Sequence, residues 1–255
     1  MIEAKKLAFE DRAKHYADPD FHEVPYDKLL SKEYAAERRK LIGDRALNDI
    51  TTGVDVIEDG DTIYLTTADE EGNMVSLIQS NFRGMGTGFV VPGTGFSFQN
   101  RGELFSTDPD HPNVYAPGKR PFHTIIPGFV MKDGKPIMAF GNMGGGYQPI
   151  GHVSILTNII DFGMNVQQAG DAFRWEHSGS TQPTDNLSDN LTTTGQVSIE
   201  SGVDFSVVQA LRQMGHNVQI GDSFFGRFQA IMRDHEKGVY FGASESRVDG
   251  QAAGY

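Results

Sequence analysis

Asp61-Thr62-Ile63-Tyr64-Leu65-Thr66-Thr67-Ala68, Asp69-Glu70-Glu71-Gly72-Asn73 and Met74-Val75-Ser76-Leu77-Ile78-Gln79-Ser80 read as strand, turn and strand. Thr62–Ala68 and Met74–Ser80 are rich in β-branched and aromatic residues, and Glu70-Glu71-Gly72-Asn73 between them has hairpin chemistry. This hairpin marks a change of character. Before it, residues 2–17 predict a helix with a broken apolar stripe of Ile2, Leu7, Ala8 and Ala13. A second helix is expected over Ser31–Ile42, with Ser31 as N-cap and Gly43 just past its end. Asp44–Gly60 is polar, acidic and aperiodic, the pattern of a linker.

After the hairpin come further strands: Phe96–Gln99, Thr124–Lys132 and Lys135–Phe140, the last two joined at Asp133-Gly134. An apolar helix over Gln148–Phe162 ends at Gly163, and a shorter helix runs to about Arg174. Trp175–Thr194 reads as a polar loop. The chain then predicts a strand at Gln196–Glu200, a helix at Asp204–Met214, and strands at Phe224–Arg233 and Val239–Ser244. This order predicts an α+β layered sandwich, not a parallel doubly wound sheet.

Composition narrows the function. A chain of 255 residues can bury one substantial core. Its net charge of −12 argues against nucleic acid and anionic membrane partners, which need clustered Lys and Arg. With no cysteine there is no disulfide, thiolate metal site or Cys nucleophile. The first residues carry no apolar core with a cleavage site, so the expected location is cytoplasmic, unless a leader belongs to a preceding region. No stretch approaches the roughly 18 apolar residues of a membrane helix.

The eight histidines show no metal-ligand spacing, so no metal or cofactor is expected. Gly84-Met85-Gly86-Thr87-Gly88 does not lead into the helix that dinucleotide binding requires. Gly141-Asn142-Met143-Gly144-Gly145-Gly146 joins a strand to a helix. Backbone N–H groups there suit an anion or oxyanion; a tight packing turn is the plainer alternative, and residue pattern alone leaves both open.

Several runs together resemble the γ-glutamyltranspeptidase family. Gly72-Asn73-Met74-Val75, Gly86-Thr87-Gly88, Pro117-Gly118-Lys119-Arg120-Pro121, Gly141-Asn142-Met143-Gly144-Gly145 and Leu156–Gly163 resemble its small subunit. Ala8-Phe9-Glu10-Asp11-Arg12, Asp18-Pro19-Asp20-Phe21 and Leu30–Arg38 resemble the end of its large subunit, and Arg247–Tyr255 its C-terminus.

The resemblance implies an αββα N-terminal-nucleophile sandwich, incomplete here because most of the large subunit is absent. It implies residues 1–61 as large-subunit end and linker, and 62–255 as the small-subunit-like catalytic region. The family precursor cleaves itself before a threonine that opens a central strand. Counting back from Asp69 and Gly72-Asn73 places it at Thr62; Thr51-Thr52 is a rival by eye but has no strand behind it. Ser80 then matches the hydroxyl supporting the nucleophile, and Gly144 and Gly145 the oxyanion pair. The chemistry is coherent: a freed α-amine, with a reference pKa of about 7.7–8.0, can serve as base for a weak threonine nucleophile. A lone strand threonine is otherwise ordinarily structural.

Three positions depart from the transpeptidases. Glu103-Leu104 stands where the family has an Asp-Asp pair, His123-Thr124 where it has Ser-Ser, and Phe82 where it has a glutamyl-binding asparagine. Ser76–Ser80, Pro92–Gly95 and Gln99–Gly102 are more similar to the branch containing oxamate amidohydrolase and acylases. Arg101 and His123 are therefore candidates to hold a small carboxylate, against the plainer reading of a surface arginine. The expected substrate is a small amide or γ-glutamyl-type molecule, as in glutathione metabolism, with a large-subunit partner or a second copy of the chain. The alternative is a catalytically silent fragment or assembly partner that retains the fold.

Overall fold

The computed structural model describes residues 1–48, 50–51, 60–184, 192–221 and 225–255. In chain order the elements are α1 Ile2–His15, α2 Tyr26–Leu29, α3 Lys32–Arg39, β1 Ile50–Thr51, β2 Gly60–Ala68, β3 Met74–Arg83, β4 Gly128–Lys132, β5 Lys135–Met143, α4 Gln148–Ile160 and α5 Val166–Asp171. They continue with β6 Trp175–Ser178, β7 Thr192–Thr193, β8 Gln196–Ile199, α6 Phe205–Gln213, β9 Val218–Ile220, β10 Arg227–Asp234 and β11 Val239–Ser244. The chain divides into two compact units, each made of separated stretches.

One unit comprises Ile57–Asn100, Thr124–Arg174 and Phe224–Tyr255. Its centre is a four-stranded antiparallel sheet in the order β11-β10-β5-β4. Strand alternation sorts β5 into two faces. Met138 and Phe140 face α4 and α5, packing with Ile155, Val166, Ala169, Phe228, Ala230 and Ala243. On the other face Gly141 receives the Tyr64 ring of the β2–β3 hairpin, so closely that a Cβ at Gly141 would lie 2.3 Å from it. Helices, sheet and hairpin thus form three successive layers. On the outer face of the hairpin, Ile63, Leu65, Val75 and Leu77 are all 40–59% exposed.

The other unit comprises Met1–Val56, Arg101–His123 and Trp175–Ser223. Its three-stranded sheet, β6-β8-β9, contains the parallel pair β8–β9. α6 packs Val208 against Val197, Ile199 and Val218. Ser31 caps α3 by accepting the Tyr34 N–H at 3.1 Å. Among the described residues, no helix is long and apolar enough to cross a membrane.

Several sequence expectations need correction. α3 ends at Arg39, short of Ile42, and Gly43 is not its left-handed cap. Phe96–Gln99 is not a strand; Ser97 makes only an isolated bridge with Val90. Trp175–Ser178, expected within a loop, is a strand pairing with β8. The expected linker holds β1, whose Ile50 and Thr51 pair with Thr193 and Thr192. Thr52 lies outside the described residues. The two missed strands, β1 and β6, share a cause: short strands whose partners are far away in sequence leave little local periodicity.

Candidate active site

Thr62 is buried on the inner face of β2, in line with Tyr64. Its cross-strand partner is Ser80. The register shifts there: Asp61 faces Phe82 and Thr62 faces Ser80, so β3 carries Asn81 as an extra residue. Such a bulge turns the strand locally and re-aims side chains. Phe82, the residue after it, has a φ of 78°, a left-handed conformation unusual for an aromatic residue. The Ser80 Oγ accepts the Phe82 N–H at 2.9 Å, supporting that conformation. Below this pair the Tyr64 hydroxyl meets the Ser76 Oγ at 2.7 Å, and burial pushes the phenol pKa up to about 12.

β2 also lies against the short 3₁₀ turn Gly145–Tyr147, which links the end of β5 to α4. Gly144 and Gly145 have φ of 141° and 53°, which a side chain would strain. The Tyr147 N–H returns to the Gly144 carbonyl at 3.0 Å, closing the turn. The turn delivers backbone N–H groups at the start of a thirteen-residue helix, where the helix dipole favours developing negative charge.

Two side chains of α4 reach this region. Gln148, buried, accepts the Ile126 N–H at 3.1 Å through Oε1, and its Nε2 donates to the Gly145 carbonyl at 3.4 Å. His152 Nε2 accepts the Asn142 N–H at 3.1 Å, so the ring is the neutral Nδ1–H form there. Burial lowers its pKa to about 4. Thr124 is buried two residues before Ile126. The sequence reading overlooked Gln148, His152 and Tyr64. The one available signal was Gln148 and His152, two polar side chains four residues apart at the start of the helix.

Arg101, Glu103 and His123 belong to the other unit. Arg101 opens the 3₁₀ turn Arg101–Leu104 and is buried, not a surface arginine, as is Leu104. Burial lowers the Arg101 pKa; the His123 pKa is lowered by burial and, secondly, by the Arg101 charge. His123 also lines a cavity of about 400 Å³ with Tyr16, Asp18, Arg120 and Phe122. Asp18 accepts from the Arg120 backbone N–H at 2.8 Å and from its guanidinium at 2.6 Å, holding the segment that leads to His123. Among the described residues, no three His, Asp or Glu side chains gather as a metal site would require.

The comparisons with known proteins agree with one another. The glutathione hydrolase-like YwrD proenzyme of Bacillus subtilis is 35% identical over 257 residues, covering all of this chain and 46% of that protein. The oxamate amidohydrolase proenzyme of Klebsiella pneumoniae is 34% identical over 260 residues, again covering all of this chain and 46% of the relative. The crystal structure of cephalosporin acylase from Bacillus halodurans superposes over the whole chain with a TM-score of 0.84 and 46% identity, using 44% of that structure. This chain therefore spans less than half the length of these relatives. The sequence model of the family described as Gamma-glutamyltranspeptidase matches residues 1–255, and the chain belongs to that family.

Proposed function

We propose that the chain is the catalytic half of a self-processing amidohydrolase, with Thr62 as nucleophile and a chain division between residues 61 and 62. The observation that carries this reading is the buried Thr62–Ser80 cross-strand pair at a bulge, on a strand lying against the Gly145–Tyr147 turn. In processing, the Thr62 hydroxyl attacks the Asp61 carbonyl carbon, the peptide C–N bond breaks, and water hydrolyses the resulting ester. This leaves Asp61 with a carboxylate and Thr62 with a free α-amine.

In turnover that amine takes the Thr62 hydroxyl proton as the oxygen attacks the substrate carbonyl. Ser80 orients the hydroxyl, and the N–H groups of Gly144 and Gly145 receive the oxyanion. The protonated amine then gives its proton to the leaving amine as the C–N bond breaks. Water, activated by the same amine, releases the acid and restores the threonine; an amine acceptor in its place yields acyl transfer.

The substrate is a small amide whose acyl group carries a carboxylate. Arg101, Glu103, His123 and Thr124 are the proposed substrate-binding residues, and support comes from oxamate in the name of a relative. The apolar outer face of the β2–β3 hairpin, with relatives about twice as long, supports a large-subunit partner covering that face. Mass spectrometry of the protein extended by the region its relatives carry tests the reading. A new N-terminus at Thr62, lost in Thr62→Ala, is expected; an uncut, inactive protein would favour the silent assembly partner.

A further inference from the structure

β4 and β5 pair in a register that sets Gly128 opposite Phe140. Continued past Gly128, that register would set Pro127, which has no N–H, opposite Gly141, then Ile126 opposite Asn142 and, two residues further along each strand, Thr124 opposite Gly144. The ladder stops instead at Gly128, while β5 stays paired with β10 as far as Met143 opposite Arg227. The N–H groups of Ile126 and Asn142, two residues beyond the last pair on each strand, are both satisfied by side chains of α4. The Ile126 N–H goes to Gln148 Oε1, and the Asn142 N–H to His152 Nε2. Gln148 and His152 are four residues apart and so share one face of α4.

Unpaired buried backbone donors are costly, so a β-ladder can end inside a protein only where something else takes its N–H groups. The same Gln148 amide also donates to the Gly145 carbonyl, tying the turn to the segment approaching β4. Burial keeps the His152 imidazole neutral around pH 7, as an acceptor at Nε2 requires.

We propose that Gln148 and His152 are positioning residues that hold the β4–β5 ladder open, as a wedge, beyond the pair of Gly128 and Phe140. The Gly144–Gly145 turn is thereby withheld from strand pairing, leaving its backbone N–H groups for a substrate carbonyl. This rests on the reading of Gly144 and Gly145 as the oxyanion site. The wedge itself is a structural claim that can be tested without activity.

The test uses the protein extended by the region its relatives carry, with Gln148→Met, Gln148→Glu and His152→Phe. Hydrogen exchange is followed by mass spectrometry, and turnover with glutaryl p-nitroanilide as probe. Gln148→Met should speed exchange at Ile126 about fivefold, the loss of one hydrogen bond. It should lower kcat by up to about 10²-fold through misplacement of the turn, with KM held within about threefold. His152→Phe should speed exchange at Asn142 in the same way. Gln148→Glu keeps the acceptor for Ile126 but cannot donate to Gly145 when ionised, so exchange at Ile126 should stay slow while kcat still falls. Unchanged exchange in Gln148→Met and His152→Phe overturns the wedge. Faster exchange with unchanged kcat overturns the positioning role. A processed wild-type protein that is inactive overturns the oxyanion reading instead, while the exchange data still decide the wedge.

Discussion

The unit that carries Thr62 buries Met138, Phe140, Ile155, Val166, Phe228 and Ala230 between sheet and helices, whereas the other unit surrounds a small valine and isoleucine cluster with buried polar and charged side chains. In the second unit Lys5 Nζ donates to the His177 carbonyl at 2.6 Å, to Ser180 Oγ at 2.9 Å and to His177 Nδ1 at 3.2 Å. His177 Nε2 in turn donates to the Thr194 carbonyl at 2.8 Å. Lys6 pairs with Glu3 at 2.8 Å, its side chain fully buried. The contrast has a chemical consequence. The proposed catalytic groups of the first unit are hydroxyls, backbone amides and the freed Thr62 amine, carried on an apolar frame. The second unit is held by charge-assisted hydrogen bonds, which are strong when complete and expensive when one partner changes.

The largest expected effect lies in the first unit. Thr62→Ala should remove both self-cleavage and amide turnover, read by mass spectrometry and by p-nitroaniline release, while Thr51→Ala and Thr52→Ala keep both. Retained processing in Thr62→Ala would break the assignment. Next, Gly145→Val adds a side chain at a φ of 53° and disturbs an oxyanion donor, for an expected loss of about 2.7–4 kcal/mol of transition-state stabilisation. A folded variant with unchanged kcat would return that turn to a packing role.

In the second unit Lys5→Met should leave turnover chemistry aside and lower stability by about 2–3 kcal/mol, the usual worth of a hydrogen bond to a buried charge. Urea unfolding measures it, and a loss under about 0.5 kcal/mol would put Lys5 among ordinary surface residues. For substrate choice, Leu104 and Phe82 offer no carboxylate or amide to an α-ammonium. Glutaryl p-nitroanilide should therefore exceed γ-glutamyl p-nitroanilide by about tenfold in kcat/KM. Equal or reversed preference would show that other groups replace the lost polar contacts.

The most gradual effect is a pH dependence. Burial first, then the Lys5 charge, lowers the His177 pKa to about 3, against about 6.5 in an unfolded chain. The unfolded chain therefore takes up the proton first. The stability from neutral His177 is complete above about pH 6.5 and is lost as pH falls toward 3, at most about 1.4 kcal/mol per pH unit. A His177→Asn protein, less stable at pH 7, should lose less between pH 6.5 and 4.5 in chemical denaturation. Parallel losses in the two proteins would place the acid sensitivity elsewhere, with His152 as the next group to test.

What was legible in the sequence follows from range. The β2–β3 hairpin, α4 ended near Gly163 and the Ser31 cap rest on neighbours within a few residues, so local pattern sufficed. The family motifs were equally readable because each is a contiguous run. Trp175–Ser178, β1 and β9 were not, since their hydrogen bonds close only when distant stretches meet.

The site divides in the same way. Residue order alone placed Thr62 in a strand, which the structure starts two residues earlier at Gly60, Ser80 on the partner strand and two glycines at a strand-to-helix junction. The tertiary structure alone decided that Arg101 is buried, that a bulge at Asn81 puts Thr62 opposite Ser80, and that Gln148 and His152 take the N–H groups of Ile126 and Asn142. A glutamine or histidine on a helix has no fixed partner in sequence. Its role depends on which backbone donor a sheet leaves unpaired, and that is set only when the sheet and helix pack.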